Sequence, residues 1–438
     1  MDLVISGTDD SLIDQLSFKL PSTASYAQER RLVSAYPSGA SQFSPDGVRR
    51  VARFVLTGEN WLDCSTLRCA IKIKNTSPNQ TLQLVSGPWC LFDQIRVLIG
   101  GVEVERIGGY YGRTHELFRS LLLSNSYNVE STTEDGTVYD PNVFPQVQPK
   151  VIGPGQYLSV NLTPLLGLLN MDKLMPLRYL GGMQIELTLA NASEALHPNS
   201  ASQDYQIEQA QMRMSVVRLD SAMENSFSQL LLQGRALQFY YKTIHLQQQA
   251  LPAGNTEAQV SMVRALSRLA GIFVSFAGPQ TYTAADGAVQ NTPANQRHLH
   301  KSFLNPTAFI TGNPVGSADE ALLNWQVQVG SKNYPEASPA SNLAETFSLL
   351  RQAIGTIDES LRTTSITEAG YRQNQFVIGV PLQVIRQAFS SINTRSGDLL
   401  TVKVNGLNGD VRQASRIFVH MVAEQIMEVR ESGVQVLD

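Results

Sequence analysis

The chain is written mostly in short alternations of apolar and polar residues. Ile95, Val97 and Ile99 alternate with Gln94, Arg96 and Leu98, and Val102 and Val104 alternate with Glu103 and Glu105. Successive side chains on a strand point to opposite faces, so this pattern predicts two half-buried strands joined by a turn at Gly100-Gly101. A short helix entered through Thr114 closes the stretch Trp89 to Leu123. The same reading predicts strands at Val51–Leu56, Tyr157–Leu162, Met183–Leu189 and around Gln211–Val217. Over Leu67–Lys74 it places Leu67, Cys69, Ile71 and Ile73 inward and Arg68, Lys72 and Lys74 outward. Pro164 opens a short helical turn, LLGLLN.

A looser copy of the hairpin and helix lies downstream. Trp325 to Val329 supplies a strand, Gly330 to Asn333 a turn region, and Asn342 to Leu350 a helix. Glu116 and Phe118 then fall on Glu345 and Phe347, both 229 positions on (345 − 116 and 347 − 118) and about half the chain away. QYLSVNLTPLLGLL (156–169) is echoed by QFVIGVPLQVIRQAF (375–389), and MQIELTL (183–189) by LLTVKVN (399–405). Further strands are predicted at Leu237–Leu246, Leu269–Phe276, Leu322–Val329, Asn374–Val380, Leu399–Val404 and within Ser415–Val429. A period this long means a duplicated domain rather than a solenoid of short repeats. Short strands, Gly and Pro turns and few helices point to an all-β chain: two tandem eight-stranded jelly-roll β-sandwiches with short flanking helices.

Length and composition fit two such units. The chain has 438 residues, 42% of them hydrophobic, and single all-β sandwiches often reach roughly 200 residues. The expected divisions are an N-terminal arm (1–45), a first jelly roll (46–220), a linker helix (221–235) and a second jelly roll (236–438). The linker is read from the helical spacing of Met223, Phe227, Leu230 and Leu231, ended by Gly234. In the arm, Leu12, Ile13, Leu16 and Phe18 follow the capping-type Asp9-Asp10-Ser11 and are candidate assembly contacts. Two readings of the arm stand: a frayed terminus, or a segment that orders against a neighbouring subunit, since so much apolar character is unusual in a solvated tail. Two stretches bearing Gly and Pro, 125–155 and 278–319, are too long for simple connections and are expected to project as functional surface.

Charge and cysteine usage narrow the classes further. No window approaches the roughly 18 uninterrupted apolar residues of a membrane helix, so a soluble chain is expected. The opening MDLVISGTDDSLIDQLSFKL has no basic flank before an apolar core, so the expectation is synthesis inside the cell without a secretory signal. Cys64, Cys69 and Cys90 form no CxxC pair and read as buried free thiols. With 34 basic and 38 acidic residues the net charge is −4, which argues against a broad nucleic-acid surface.

Four segments in order carry a family resemblance: GENWLDCSTLRCAIKIKN (58–75), LFDQIRVLIGGVEVERI (91–107), the helix with Glu116-Leu117-Phe118, and LMPLRYLGGMQIELTLA (174–190). The chain resembles, over nearly its whole length, the double jelly-roll major capsid proteins of double-stranded DNA viruses. That lineage joins tailless membrane-containing phages, adenoviruses, polinton-like viruses, virophages and nucleocytoplasmic large DNA viruses. The resemblance implies a virion protein whose homotrimers, pseudo-hexagonal in outline, tile an icosahedral capsid. It further implies contacts with neighbouring capsomers, penton and minor capsid proteins or an internal membrane, and no specific nucleic-acid binding. The arm would face inward and the long insertions would rise outward as towers.

Candidate chemistry adds little to this picture. His298-Leu299-His300 looks like a cupin metal pair, but Lys301 to Asn305 brings no acid at ligand spacing, so two loop histidines is the better reading. His115, His197, His245 and His420 are scattered and make no HExxH pair, and neither a GxSxG elbow nor a phosphate loop is present. Asp135, Glu186 and Glu345 could be nominated as glycosidase carboxylates. They read better as a turn residue, an outward strand residue and an acid at a helix start. Tyr110, Tyr111, Tyr139 and Phe144 read as packing or interface residues rather than a sugar platform. Arg30-Arg31 and Arg49-Arg50 with Arg53 read as solvated or salt-bridged groups, and the sequons at Asn75, Asn79, Asn161 and Asn191 as chance. No catalytic, cofactor-binding or metal residue is expected. The alternative from another class is a double β-sandwich carbohydrate-binding or carbohydrate-active protein, a monomer or dimer with an aromatic-lined concave sheet.

Overall fold

The structure is a computed structural model that describes residues 27–47, 49–122, 132–139, 147–171, 173–197, 200–252, 254–262, 264–278, 303–306, 323–336, 342–357, 364–373, 375–384, 391–395, 399–407 and 414–437. The first half contains β1 (Ala27–Ala35), β2 (Val51–Leu56), β3 (Trp61–Asn75), β4 (Phe92–Ile99), β5 (Val102–Ile107), β6 (Tyr157–Leu162), β7 (Met183–Leu189) and β8 (Tyr205–Leu219). Helix α1 (Tyr111–Leu122) lies between β5 and β6. After helix α2 (Ser221–Leu232) come β9 (Leu237–Ala250), β10 (Glu257–Met262), β11 (Leu269–Ala277), β12 (Asn324–Val329) and β13 (Lys332–Tyr334). Helix α3 (Leu343–Ile354) precedes β14 (Val377–Pro381), β15 (Leu400–Asn405), β16 (Arg416–Arg430) and a last short strand β17 (Gly433–Leu437).

The strands pair as β1-β8-β3-β6 and β2-β7-β4-β5 in the first half, and as β9-β16-β11-β14 and β10-β15-β12-β13 in the second. Counted within its own half, each unit runs 1-8-3-6 and 2-7-4-5. That winding over two facing sheets is a jelly roll, made twice, with a helix between the fifth and sixth strands both times. The duplication faintly visible in the sequence is therefore complete at the level of topology.

Alternation drives the packing. β4 buries Phe92, Ile95, Val97 and Ile99, and the register sets Ile185 against Val97 and Leu187 against Ile95, all of them buried. Gly100 and Gly101 have φ of +57° and +84°, the left-handed pair a two-residue hairpin turn needs. In the second unit Gly330, φ +58°, follows Val329 in the same way. Trp325 therefore sits inside β12, whereas Trp89 lies ahead of β4 in the 3-10 turn Pro88–Leu91, so the two tryptophans are not counterparts.

Three readings change. The register between β4 and β5 shifts after Val97, which pairs with Glu105, while Leu98 pairs with Glu103. A bulge flips the faces beyond it, so Val102 is exposed and Glu105, expected outward, is buried. Within the 1–45 stretch, Ala27–Ala35 is the strand β1; only Val33 and Ala35 are partly covered, so no alternation marks it. Glu257–Met262, unassigned from sequence, is a strand that buries Ala258, Val260 and Met262. Helix α2 is capped by Asp220, whose carboxylate accepts from the Ala222 N–H, and the chain leaves it through Gly234 at φ +79°. Buried apolar residues of both sandwiches form one continuous cluster.

Candidate functional site

The place where the two sandwiches meet carries buried polar groups that tie distant parts of the chain together. β11, read as LAGIFVSFA, is buried at every position, and β16 at nearly every one. Such strands are covered on both faces. The inner cover is their own core; the outer cover is α1 of the first sandwich, with α3 beside it over β14, where Gly379 pairs with Phe273. Phe118 packs edge-on against Phe273 with ring centroids 5.5 Å apart and against His420 at 5.9 Å. Tyr110, in the left-handed region at φ 62°, sets its ring edge-on to Phe418 at 5.5 Å, and its hydroxyl accepts from Arg416.

Arg113 is fully buried in this joint. Its guanidinium lies 4.6 Å from the Phe303 ring centroid and 4.3 Å from that of Phe418, and donates to the Ser275 hydroxyl and the Phe276 carbonyl, each at 3.1 Å. A planar, weakly hydrated cation tolerates such a place better than an ammonium would. Burial still pulls its pKa down to about 9. Beside it the Thr114 hydroxyl meets His420 Nε2 at 3.2 Å, and burial with the nearby Arg113 charge pulls the His420 pKa down to about 3. At neutral pH Arg113 is thus a cation set beside a neutral imidazole.

A second contact set lies on β5 and β9. The Tyr241 hydroxyl donates to the Val104 carbonyl at 2.9 Å. The buried Glu105 carboxylate accepts from the N–H groups of Gly167 (2.9 Å) and Leu168 (3.0 Å), at the start of the 3-10 turn Gly167–Asn170. Burial raises its pKa to about 7 despite those donors. A Cβ on Gly167 would stand 1.7 Å from the Lys242 carbonyl oxygen, so only glycine lets the turn approach β9 this closely.

The residues singled out from sequence fall into place separately rather than as one site. Leu12, Ile13, Leu16 and Phe18, the pair His298 and His300, and Phe144 lie outside the described residues. Glu186 sits under Arg53 and Arg96 on the outer face of the sheet β2-β7-β4-β5; burial pushes its pKa up, but hydrogen bonds from both arginines outweigh this and hold it low. Asp135 pairs with Arg119 at 3.1 Å and caps Thr137, while Glu345 lies in the first turn of α3, its N–H donating to Asn342. Arg119, Glu116 and Asp135 border a cleft of about 230 Å³ beside α1, also lined by Trp89, His115 and Leu165, whose charges are already paired with one another. Tyr111 is fully buried, its hydroxyl accepting from the Leu165 N–H at 2.8 Å. Asn75 is buried and donates to three backbone carbonyls, which leaves no access for a glycan. Cys64, Cys69 and Cys90 are buried free thiols pushed up to about 12 by burial. Among the described residues no group of three or more His, Cys, Asp or Glu is placed to hold a metal, and no helix is long and apolar enough to cross a membrane.

Sequence reasoning missed Arg113, His420 and Glu105. The unbroken apolar run of β11 was a usable sign of a doubly covered strand; nothing comparable marks Glu105, since the bulge that buries it leaves no trace in the alternation.

No protein-family model matches the sequence, and no curated protein matches it. Solved structures do. A chain of the PBCV-1 virus capsid is similar at 11% identity and TM-score 0.62, covering 96% of this chain and 100% of that one. The Faustovirus major capsid protein is similar at 8% identity and TM-score 0.60, covering 95% and 93%. The mavirus major capsid protein is similar at 10% identity and TM-score 0.52, covering 96% and 92%. The chain has the double jelly-roll fold of these viral capsid proteins.

Proposed function

We propose that this chain is a viral major capsid protein, a shell subunit without turnover of any substrate. The observation that carries the reading is the doubled 1-8-3-6 and 2-7-4-5 winding over nearly the full length of both this chain and the capsid proteins it matches. Two near-equivalent sandwiches in a threefold assembly give six similar edges, which suits a hexagonal lattice. The subunit would form homotrimeric capsomers of pseudo-hexagonal outline in the virion, touching neighbouring capsomers and penton and minor capsid proteins. The unit 46–220, completed by β1 (Ala27–Ala35), and the unit 236–438 would stand side by side, with the residues before β1 as an inward arm. Leu12, Ile13, Leu16 and Phe18 would bind it to neighbours or inner components. Light scattering on the purified protein tests the reading: a trimer or larger closed assembly is expected, and a monomer that binds glycan would overturn it. Deleting the residues before β1 is expected to impair shell assembly; unchanged assembly would sink the role of the arm.

A further inference from the structure

We propose that the cleft beside α1 is a binding site for a small organic amine, one aromatic ring with an ammonium on a short arm. The site goes beyond the shell role and does not depend on it. The cleft lies between the 3-10 turn Pro88–Leu91, α1 and the chain leaving β6, and encloses about 230 Å³. An apolar cavity of roughly 150 Å³ takes benzene, so this one has room for a ring and a short arm. Trp89, Leu162 and Leu165 give it apolar walls. Trp89 stands against His115 with ring centroids 4.9 Å apart. Burial pulls the His115 pKa down to about 3, so at neutral pH the imidazole is uncharged, and its Nε2–H donates to the Thr163 carbonyl at 3.2 Å. That wall therefore adds no positive charge.

The polar groups of the lining choose the charge of the ligand. Arg119 is buried and meets Asp135 at 3.1 Å and Glu116 at 3.8 Å, so its charge is held within that cluster. Glu134, the third carboxylate of the lining, is exposed, and the cleft reaches solvent there. Among the described residues the lining thus sets three carboxylates against one guanidinium. An anion would have to enter against that excess and compete for Arg119, whereas a cation is drawn in, the more strongly for the apolar wall beside it. Asn161 also lines the cleft, and its Oδ1 is buried with no hydrogen-bond partner among the described residues. A buried acceptor costs stability until a donor meets it, and an ammonium brings three N–H donors and no acceptor.

Titration calorimetry on the full-length chain tests the site with 2-phenylethylamine, 2-phenylethanol and 3-phenylpropionate, which share a ring and differ in charge. The amine is expected to bind saturably in the roughly millimolar range of so small a molecule, about tenfold tighter than the carboxylate, with the alcohol between them. Gly87→Leu is expected to abolish binding. A Cβ there stands 3.5 Å from Arg119 Nη1 and 3.8 Å from Glu116 Oε2, so the position accepts a side chain that then grows into the cleft. Leu122→Trp, from the partly buried end of α1, fills the same space and serves if Gly87→Leu does not fold. Glu134→Gln is expected to narrow the gap between amine and carboxylate about threefold, with thermal unfolding unchanged. Equal affinity for the three probes, or no saturable binding of the amine, would overturn the proposal. Amine binding that survives both filling variants would overturn it as well, since the amine would then be held elsewhere.

Discussion

Helices α1 and α3 hold the same position in two copies of one fold, yet α1 is enclosed and α3 is half bare. α1 begins at the left-handed Tyr110, contributes Arg113 and Phe118 to the other sandwich and buries most of its surface. α3 begins at a conventional cap, with Asn342 Oδ1 accepting from the Glu345 N–H at 2.6 Å, and among the described residues packs on β14 and β11 of its own sandwich. There Gly379 of β14 admits it closely: a Cβ would stand 2.8 Å from the Leu350 Cα. An enclosed helix takes its stability from what covers it, and a bare one needs its local signals.

Substitutions can break or sharpen that contrast. The largest effect is expected from Gly167→Val, because the Lys242 backbone cannot yield and the joint must open; a loss of about 5 kcal/mol or more, or no folded protein, should appear in chemical denaturation. Phe118→Ala should cost about 3–5 kcal/mol, as for a large core aromatic. Phe347→Ala on α3, where the ring is only partly buried against Tyr371 at 4.8 Å, should cost clearly less, about 1–2 kcal/mol. Equal losses for the two phenylalanines would erase the distinction drawn here.

Glu105→Gln reports on the joint through pH. Its folded pKa is about 7 against 4.5 for the ordinary carboxyl, so between those values the folded state keeps a proton the unfolded state has lost. Stability from this group therefore falls as pH rises from about 4.5 to about 7, by at most about 3 kcal/mol, and is level above. The advantage of Glu105→Gln over the parent should grow across that window in denaturation at a series of pH values. His115, His245 and His420, pulled down to about 3 chiefly by burial, act oppositely: stability rises with pH from about 3 to 6.5 in both proteins. The smallest effect is expected from Asn342→Ala, about 1 kcal/mol for the lost cap, read as a lower thermal midpoint.

Strands with one wet face were readable from sequence because their alternation is a direct record of what they touch. Val51–Leu56, Tyr157–Leu162 and Met183–Leu189 match their readings end to end. β1 escaped because both its faces are largely exposed, and an exposed edge strand carries no alternation. The joint escaped for another reason. Arg113 and His420 are 307 positions apart (420 − 113), and a buried cation and a buried imidazole look in sequence like surface residues until the fold brings a second sandwich over them. Glu105 depended on a one-residue bulge that no periodicity encodes.

The unbroken core has a consequence for separating the two halves of the chain. Phe273, Phe418 and His420 give the second sandwich an outer face that lies under α1, whereas the first carries Arg68, Lys72 and Arg213 on its own. The two copies are not interchangeable. Expressed alone, residues 27–220 would present a polar sheet to solvent, while residues 236–438 would present an aromatic one and aggregate. The second half therefore depends on the first for its solubility, and the first does not depend on the second in the same way.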